Sequence, residues 1–280
     1  MLTRLPDYQP FPLQFFNIDA SDTSDVYDVE INEMRRMDLE GATIVDGFPS
    51  VGLVSSIATN YIIKLLNLKE IGVMDSDGFP HVTLVRESVP LSPVRIYAGE
   101  RTSKGELMVA FVSEFQSPPE LIRPISRALV DWAVDRKCKM IISPEGLVVD
   151  PDLKEKAELS EVVFAIGSTD RAREMLNRKH FQTFDEGVIT GVAGMLLIEG
   201  LAQDFDVITL LAEAHPDFPD AGAAALVLEA MDDLVLGMDF DTKPLFEEAQ
   251  RIEARLKEVQ AQAAKPRKPA ATVVKPNMYG

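Results

Sequence analysis

Cysteine is almost missing from this chain: Cys138 stands alone among 280 residues. One thiol excludes an intrachain disulfide framework and a cysteine-rich metal site. The three histidines, His81, His180 and His215, lie far apart, and their spacing does not suit a shared metal. No apolar run reaches the roughly 18 residues that a membrane-spanning helix needs. The first residues, Met1 to Asp7, do not read as a signal peptide, so we expect a cytoplasmic protein. Positive charge is scarce as well. Lys and Arg number 28 against 45 Asp and Glu, a net charge of -17. Such a surface repels phosphate backbones and anionic lipid, which argues against nucleic-acid or membrane partners. There is no Gly-x-Ser-x-Gly elbow, no dinucleotide fingerprint and no phosphate loop.

What is present is a globular composition, with 46% hydrophobic residues, and an alternation of strand-like and helix-like segments. Residues 1–25 are rich in Pro, Asp and Ser and read as an N-terminal arm. Residues 26–263 read as one α/β domain that includes a C-terminal helix. Within it, Thr43 to Phe48 reads as a buried strand. Pro49 to Leu66 reads as a helix, with Val51, Val54, Ile57, Ala58, Tyr61, Ile62 and Leu65 at three- and four-residue steps. Strands are expected near 70–75, 81–86, 93–98 and 107–113. A helix then starts at Ser117-Pro118-Pro119-Glu120. Further strands are expected at 140–143, 161–166 and 206–211, with helices near 169–178, 191–202, 220–236 and 244–263. Strands joined by helices imply a largely parallel or mixed sheet covered on both faces. In the last helix Leu245, Ala249, Ile252, Leu256 and Val259 form a narrow apolar seam. It suits either an intersubunit contact or packing on its own domain.

No catalytic set stands out, and we expect neither enzyme activity nor a cofactor. The turn Asp46-Gly47-Phe48-Pro49-Ser50-Val51-Gly52 joins a strand to a helix. It suits a structural turn, with an anion site at the helix start as the alternative. Asp75-Ser76-Asp77-Gly78 begins like a calcium loop but lacks the distal ligands, so a turn is expected. Cys138 is read as a small buried hydrophobe. Arg95, a charge inside an apolar strand, is expected to pair with a carboxylate.

The tail, residues 264–280, holds three prolines, four basic residues and no acidic one, so the 263 residues before it stand at -21. It ends in Met278-Tyr279-Gly280. A hydrophobic residue, a penultimate tyrosine and a terminal carboxylate together make a compact docking device. This ending resembles the hydrophobic-tyrosine-X motif by which proteasome activators and assembly chaperones dock between outer-ring subunits. The body carries a second resemblance, in Asp46 to Ala58, Asp77-Gly78-Phe79-Pro80, Pro93 to Tyr97, Gly191-Val192-Ala193-Gly194 with Glu199-Gly200, Pro216 to Ala225 and Asp241 to Leu245. In order and spacing these resemble the proteasome assembly chaperone family, in its archaeal form related to the second eukaryotic chaperone. The resemblance implies an α/β/α sandwich like that of purine nucleoside phosphorylases, without their catalytic set. It also implies a homo-oligomer that acts on the proteasome core particle, with Met278, Tyr279 and Gly280 as the partner-binding residues. An enzyme or small-molecule binder on the same fold is the rival reading, its site expected near Gly47–Gly52 or Arg95.

Overall fold

Long apolar runs become central strands here, and amphipathic runs become the helices that cover them. In chain order the elements are β1 (Glu30–Glu33), β2 (Thr43–Gly47), α1 (Val54–Leu65), β3 (Lys69–Asp75), β4 (Leu84–Arg86), β5 (Val89–Leu91), β6 (Val94–Ala98), β7 (Met108–Ser113) and α2 (Pro119–Asp135). There follow β8 (Met140–Leu147), β9 (Val163–Gly167), α3 (Asp170–Arg178), β10 (Gln182–Thr183), α4 (Gly191–Ala202), β11 (Val207–Glu213) and α5 (Ala221–Met231). The computed structural model describes residues 28–102, 105–148, 162–216 and 218–237, and also 244, 245, 247, 251, 252, 254 and 255. The expected N-terminal arm and tail lie outside the described residues.

Nine strands form one mixed sheet in the order β1-β3-β6-β7-β2-β8-β11-β9-β10. Its centre is parallel: β2 pairs with β7 from Thr43↔Met108 to Gly47↔Val112, and with β8 from Thr43↔Met140 to Val45↔Ile142. β8 and β11 continue in parallel. Antiparallel strands flank this centre on either side. Every residue of β2 is buried, as expected of a strand covered on both faces. Side chains alternate between two cores. Val45, Ala110, Ile142 and Leu210 face α1 and α5, while Ile44, Val109, Ile141 and Val207 face α2 and α4. The fold is therefore the α/β/α layering that the sequence suggested. Each fully buried Ile or Leu in these layers contributes about 2 kcal/mol.

Local chemistry fixes the element ends. Thr169 caps α3 by accepting from the Ala172 amide at 3.1 Å, and Asp220 caps α5 by accepting from the Ala223 amide at 2.9 Å. The strand expected at 81–86 shrinks to β4, half of a small hairpin outside the main sheet. Its turn residues, Glu87 and Ser88, both have positive φ, 48° and 64°. That geometry is normally signalled by Asn-Gly, so the sequence did not advertise it. β8 extends four residues beyond expectation, through Pro144. The proline is tolerated because pairing with β2 ends at Ile142, just before it. Leu245 and Ile252 are buried in the core beside α1 and α5. At those positions the last apolar seam packs on its own domain, not on another subunit.

The β2–α1 connection packs backbone against backbone. A Cβ at position 146 would lie 2.2 Å from the Val51 carbonyl oxygen, and one at 47 would lie 2.5 Å from that of Phe111. Gly146→Ala should therefore lower the urea midpoint, with a loss of about 2 kcal/mol from overpacking. An unchanged midpoint would show that the turn relaxes freely.

Candidate functional site

Asp46 and Glu145 meet at the carboxyl ends of the parallel strands, where open α/β sheets commonly bind ligands. Asp46 is 2% exposed. Its carboxylate accepts from the Phe48 amide at 3.0 Å and the Ser143 hydroxyl at 2.7 Å. Its backbone oxygen accepts from the hydroxyls of Ser55 and Thr59 on α1, at 2.7 and 3.1 Å. Burial raises the Asp46 carboxyl to about 6, against the pull of those bonds. Glu145 is raised to about 8, first by burial and then by the charge of Asp46. It accepts from the Gly146 amide at 3.0 Å, and also from the Val51 amide and the Ser50 side chain.

The place where an anion was the alternative expectation at the Gly47–Gly52 turn is thus filled by a carboxyl group of the protein itself. Glu145 meets the Val51 amide, and the Ser50 hydroxyl takes the Ser55 amide at 3.1 Å. Gly52, at φ +60°, closes the rest: its missing Cβ leaves just enough room for Ala214 and the His215 carbonyl, each 3.0 Å from where that Cβ would be. The turn is structural, and its helix start is occupied by groups of its own chain.

A second charged centre lies around Glu114, in the loop after β7. Arg95 is 1% exposed and pairs with Glu114 at 2.5 Å, as its place in an apolar strand suggested. It also donates to the Tyr97 hydroxyl at 2.8 Å and the Ser92 carbonyl at 2.7 Å. These partners occupy all three guanidinium nitrogens, so Arg95 is not free to hold a substrate. Arg86 from the hairpin and Arg255 from the last helix reach the same Glu114 oxygen, each at 2.8 Å. Sequence reading missed Glu114, Arg86 and Arg255, which are brought together only by the tertiary fold.

The remaining candidates fall where the sequence placed them or outside the described residues. Asp75-Ser76-Asp77-Gly78 is a turn, closed by the Phe79 amide on the Ser76 carbonyl at 3.0 Å. Cys138 is buried, and burial pushes its thiol up to about 12. His215 stacks on Phe218, with ring centres 4.6 Å apart. Among the described residues, no group of three or more His, Cys, Asp or Glu is arranged to hold a metal, and no helix is long and apolar enough to cross a membrane. Met278, Tyr279 and Gly280 lie outside the described residues. Two open cavities, of about 600 Å³ beside Lys69 and Arg101 and about 490 Å³ beside α4, include no residue of the Gly47–Gly52 turn.

Fold and site together define a three-layer α/β protein whose β2–α1 turn is filled by its own Glu145 and whose charged centre is internally paired. The chain belongs to the PAC2 family, whose profile matches residues 44–260. It is 32% identical over 233 residues to an uncharacterized protein of Methanocaldococcus jannaschii, covering 83% of this chain and 91% of the relative. Among solved structures it is similar to Pyrococcus furiosus PbaA, described as an archaeal homolog of proteasome-assembly chaperone. Identity there is 28% and the TM-score 0.70, over 84% of this chain and 97% of PbaA. It shares the fold of P. furiosus PbaB, described as an archaeal proteasome activator, at 24% identity and a TM-score of 0.67, over 83% and 99% of the two chains.

Both strand-end carboxyls hold their protons more tightly when folded than when unfolded. Their contribution to stability is complete below about pH 4 and is lost as pH rises through about 6 for Asp46 and about 8 for Glu145. Glu145→Gln should remove the later part of that loss. Relative to wild type, the variant should gain about 4 kcal/mol between pH 5 and pH 9, read by urea denaturation at each pH. Parallel stability curves would contradict this account.

Proposed function

We propose that this protein engages the outer ring of the proteasome core particle, or an assembly intermediate of it, as an assembly chaperone or activator. The likeness to PbaA in sequence and fold, over nearly the whole of that chain, carries the reading. Membership of the PAC2 family supports it. In this reading Met278 fills an apolar pocket between ring subunits, Tyr279 adds an apolar ring with a hydrogen-bonding tip, and the Gly280 carboxylate meets a lysine. Leu245 and Ile252 pack into the core, so the helix that leads toward the tail leaves from a fixed place on the body. From there 17 residues at the polyproline rise reach up to about 50 Å. A homo-oligomer would present several tails to one ring, and avidity would offset weak single contacts. Exposed apolar residues near one another in sequence, Val188, Ile198 and Leu201, suit such self-association. The protein would work in the cytoplasm, without a cofactor and without catalysis of its own. At the Gly47–Gly52 turn, Glu145 beside the Val51 amide and Ala214 against Gly52 count against the enzyme reading.

Co-migration with a purified archaeal core particle tests the anchor. Wild type should bind, whereas Tyr279→Ala, or one residue added after Gly280, should reduce binding at least about tenfold, the loss of a buried aromatic anchor. Equal binding by all three would move the contact to the body. Binding by none, to core particle or half-assembled ring alike, would overturn the reading.

A further inference from the structure

Glu114 presents one carboxylate to three guanidinium groups, and all three use its Oε1 atom: Arg95 at 2.5 Å, Arg86 and Arg255 at 2.8 Å. Among the described residues, no other carboxylate pairs with any of the three. The group therefore carries two positive charges beyond its one negative charge, within a body whose overall charge is strongly negative. The surplus faces outward. The Arg95 and Glu114 side chains are 1% and 4% exposed, whereas those of Arg86 and Arg255 are 40% and 21% exposed. Each of these outer arginines gives one hydrogen bond to Glu114, from a guanidinium that has five donors. Burial first, and then the charges of Arg251, Arg255 and Arg86, push the ammonium of Lys64, in the last turn of α1, down to about 8 against the pull of Glu247. Cations have thus been gathered from a hairpin, a helix end and the last helix against their mutual repulsion.

We propose that Arg86 and Arg255, with Lys64 beside them, bind a phosphate-type oxyanion on the solvent side of Glu114. A phosphate near two negative charges matches the surplus of two, and its oxygens suit guanidinium forks already held in place by Glu114. The ion would bridge the β4–β5 hairpin to the C-terminal helix and offset the repulsion among the arginines. This site is separate from the Gly47–Gly52 turn, where Glu145 already meets the helix start. The assignment is independent of proteasome binding.

Thermal unfolding of the full chain in inorganic phosphate, in ATP and in chloride at matched ionic strength tests the site. At about 10 mM, phosphate should raise Tm by ~3 °C over chloride. A response to inorganic phosphate assigns the ion itself, and a response confined to ATP assigns a nucleotide phosphate; either supports the site. The response should vanish in the Arg86→Gln, Arg255→Gln double variant. It should grow in Glu114→Gln, which adds one further uncompensated positive charge, and phosphate should restore part of the stability that variant loses. Line broadening of the phosphorus-31 resonance gives a readout that does not depend on variant stability. No response beyond chloride in wild type, or an equal response in the double variant, would overturn the proposal.

Discussion

A carboxyl group at the end of a buried central strand is costly unless it is hydrogen-bonded, and the layering of this protein depends on how Asp46 meets that condition. Its carboxylate holds the start of the β2–α1 turn through Phe48 and the neighbouring strand through Ser143. Its backbone oxygen receives two hydroxyls from the first two turns of α1. One residue therefore fixes the end of β2, its lateral distance to β8 and the seat of α1 on the sheet. An apolar residue of the same size would bury more comfortably but would specify none of these three relations. Glycines at 47 and 146 are a consequence: the backbones that Asp46 draws together leave no space for a Cβ.

Glu114 performs the corresponding task at the periphery. It lies just beyond β7 and ties Arg95 of β6 and Arg86 of the hairpin to Arg255 of the last helix. The hairpin and the last helix are distant from each other in sequence, and among the described residues no ladder of backbone hydrogen bonds joins them. Leu245 and Ile252 bury the apolar side of that helix, but apolar packing alone tolerates sliding. A charge-assisted bond to a nearly unexposed carboxylate sets the position along the helix. The arrangement brings like charges together, which makes the same place a natural receiver for an added anion.

The layering was legible because burial on both faces leaves a strong mark. Runs such as Thr43-Ile44-Val45 and Met140-Ile141-Ile142 announce central strands, and helical periodicity located α1, α2 and α4 closely. β1 was not legible: Glu30-Ile31-Asn32-Glu33 is a four-residue edge strand with a polar alternating pattern, and pairing with β3 makes it a strand. The hairpin turn at Glu87-Ser88 has the backbone of a tight turn without its usual residues. Of the charged sites, Arg95 was visible as a lone charge in an apolar strand. Its partner was not, because Glu114 is 19 residues away and Arg255 is 141 residues from Glu114. Glu145 was hidden by Pro144 and Gly146, which read as the end of a strand but lie within β8.

The filling of the β2–α1 turn bears on what such a fold can do. In an open parallel sheet the crevice at the carboxyl ends is where a ligand reaches backbone amides and a helix start. Here Glu145 occupies the helix start, while Ala214 and the His215 carbonyl press on Gly52. The Asp220 amide also bonds to the Gly52 carbonyl at 2.8 Å, so the residue that caps α5 is drawn onto the same turn. Opening this turn to a ligand would require breaking contacts that seat α1 and α5 together. The turn is thereby committed to seating α1 and α5, whereas Arg86 beside Glu114 and the exposed Ile198 and Leu201 of α4 are among the groups that this packing does not consume.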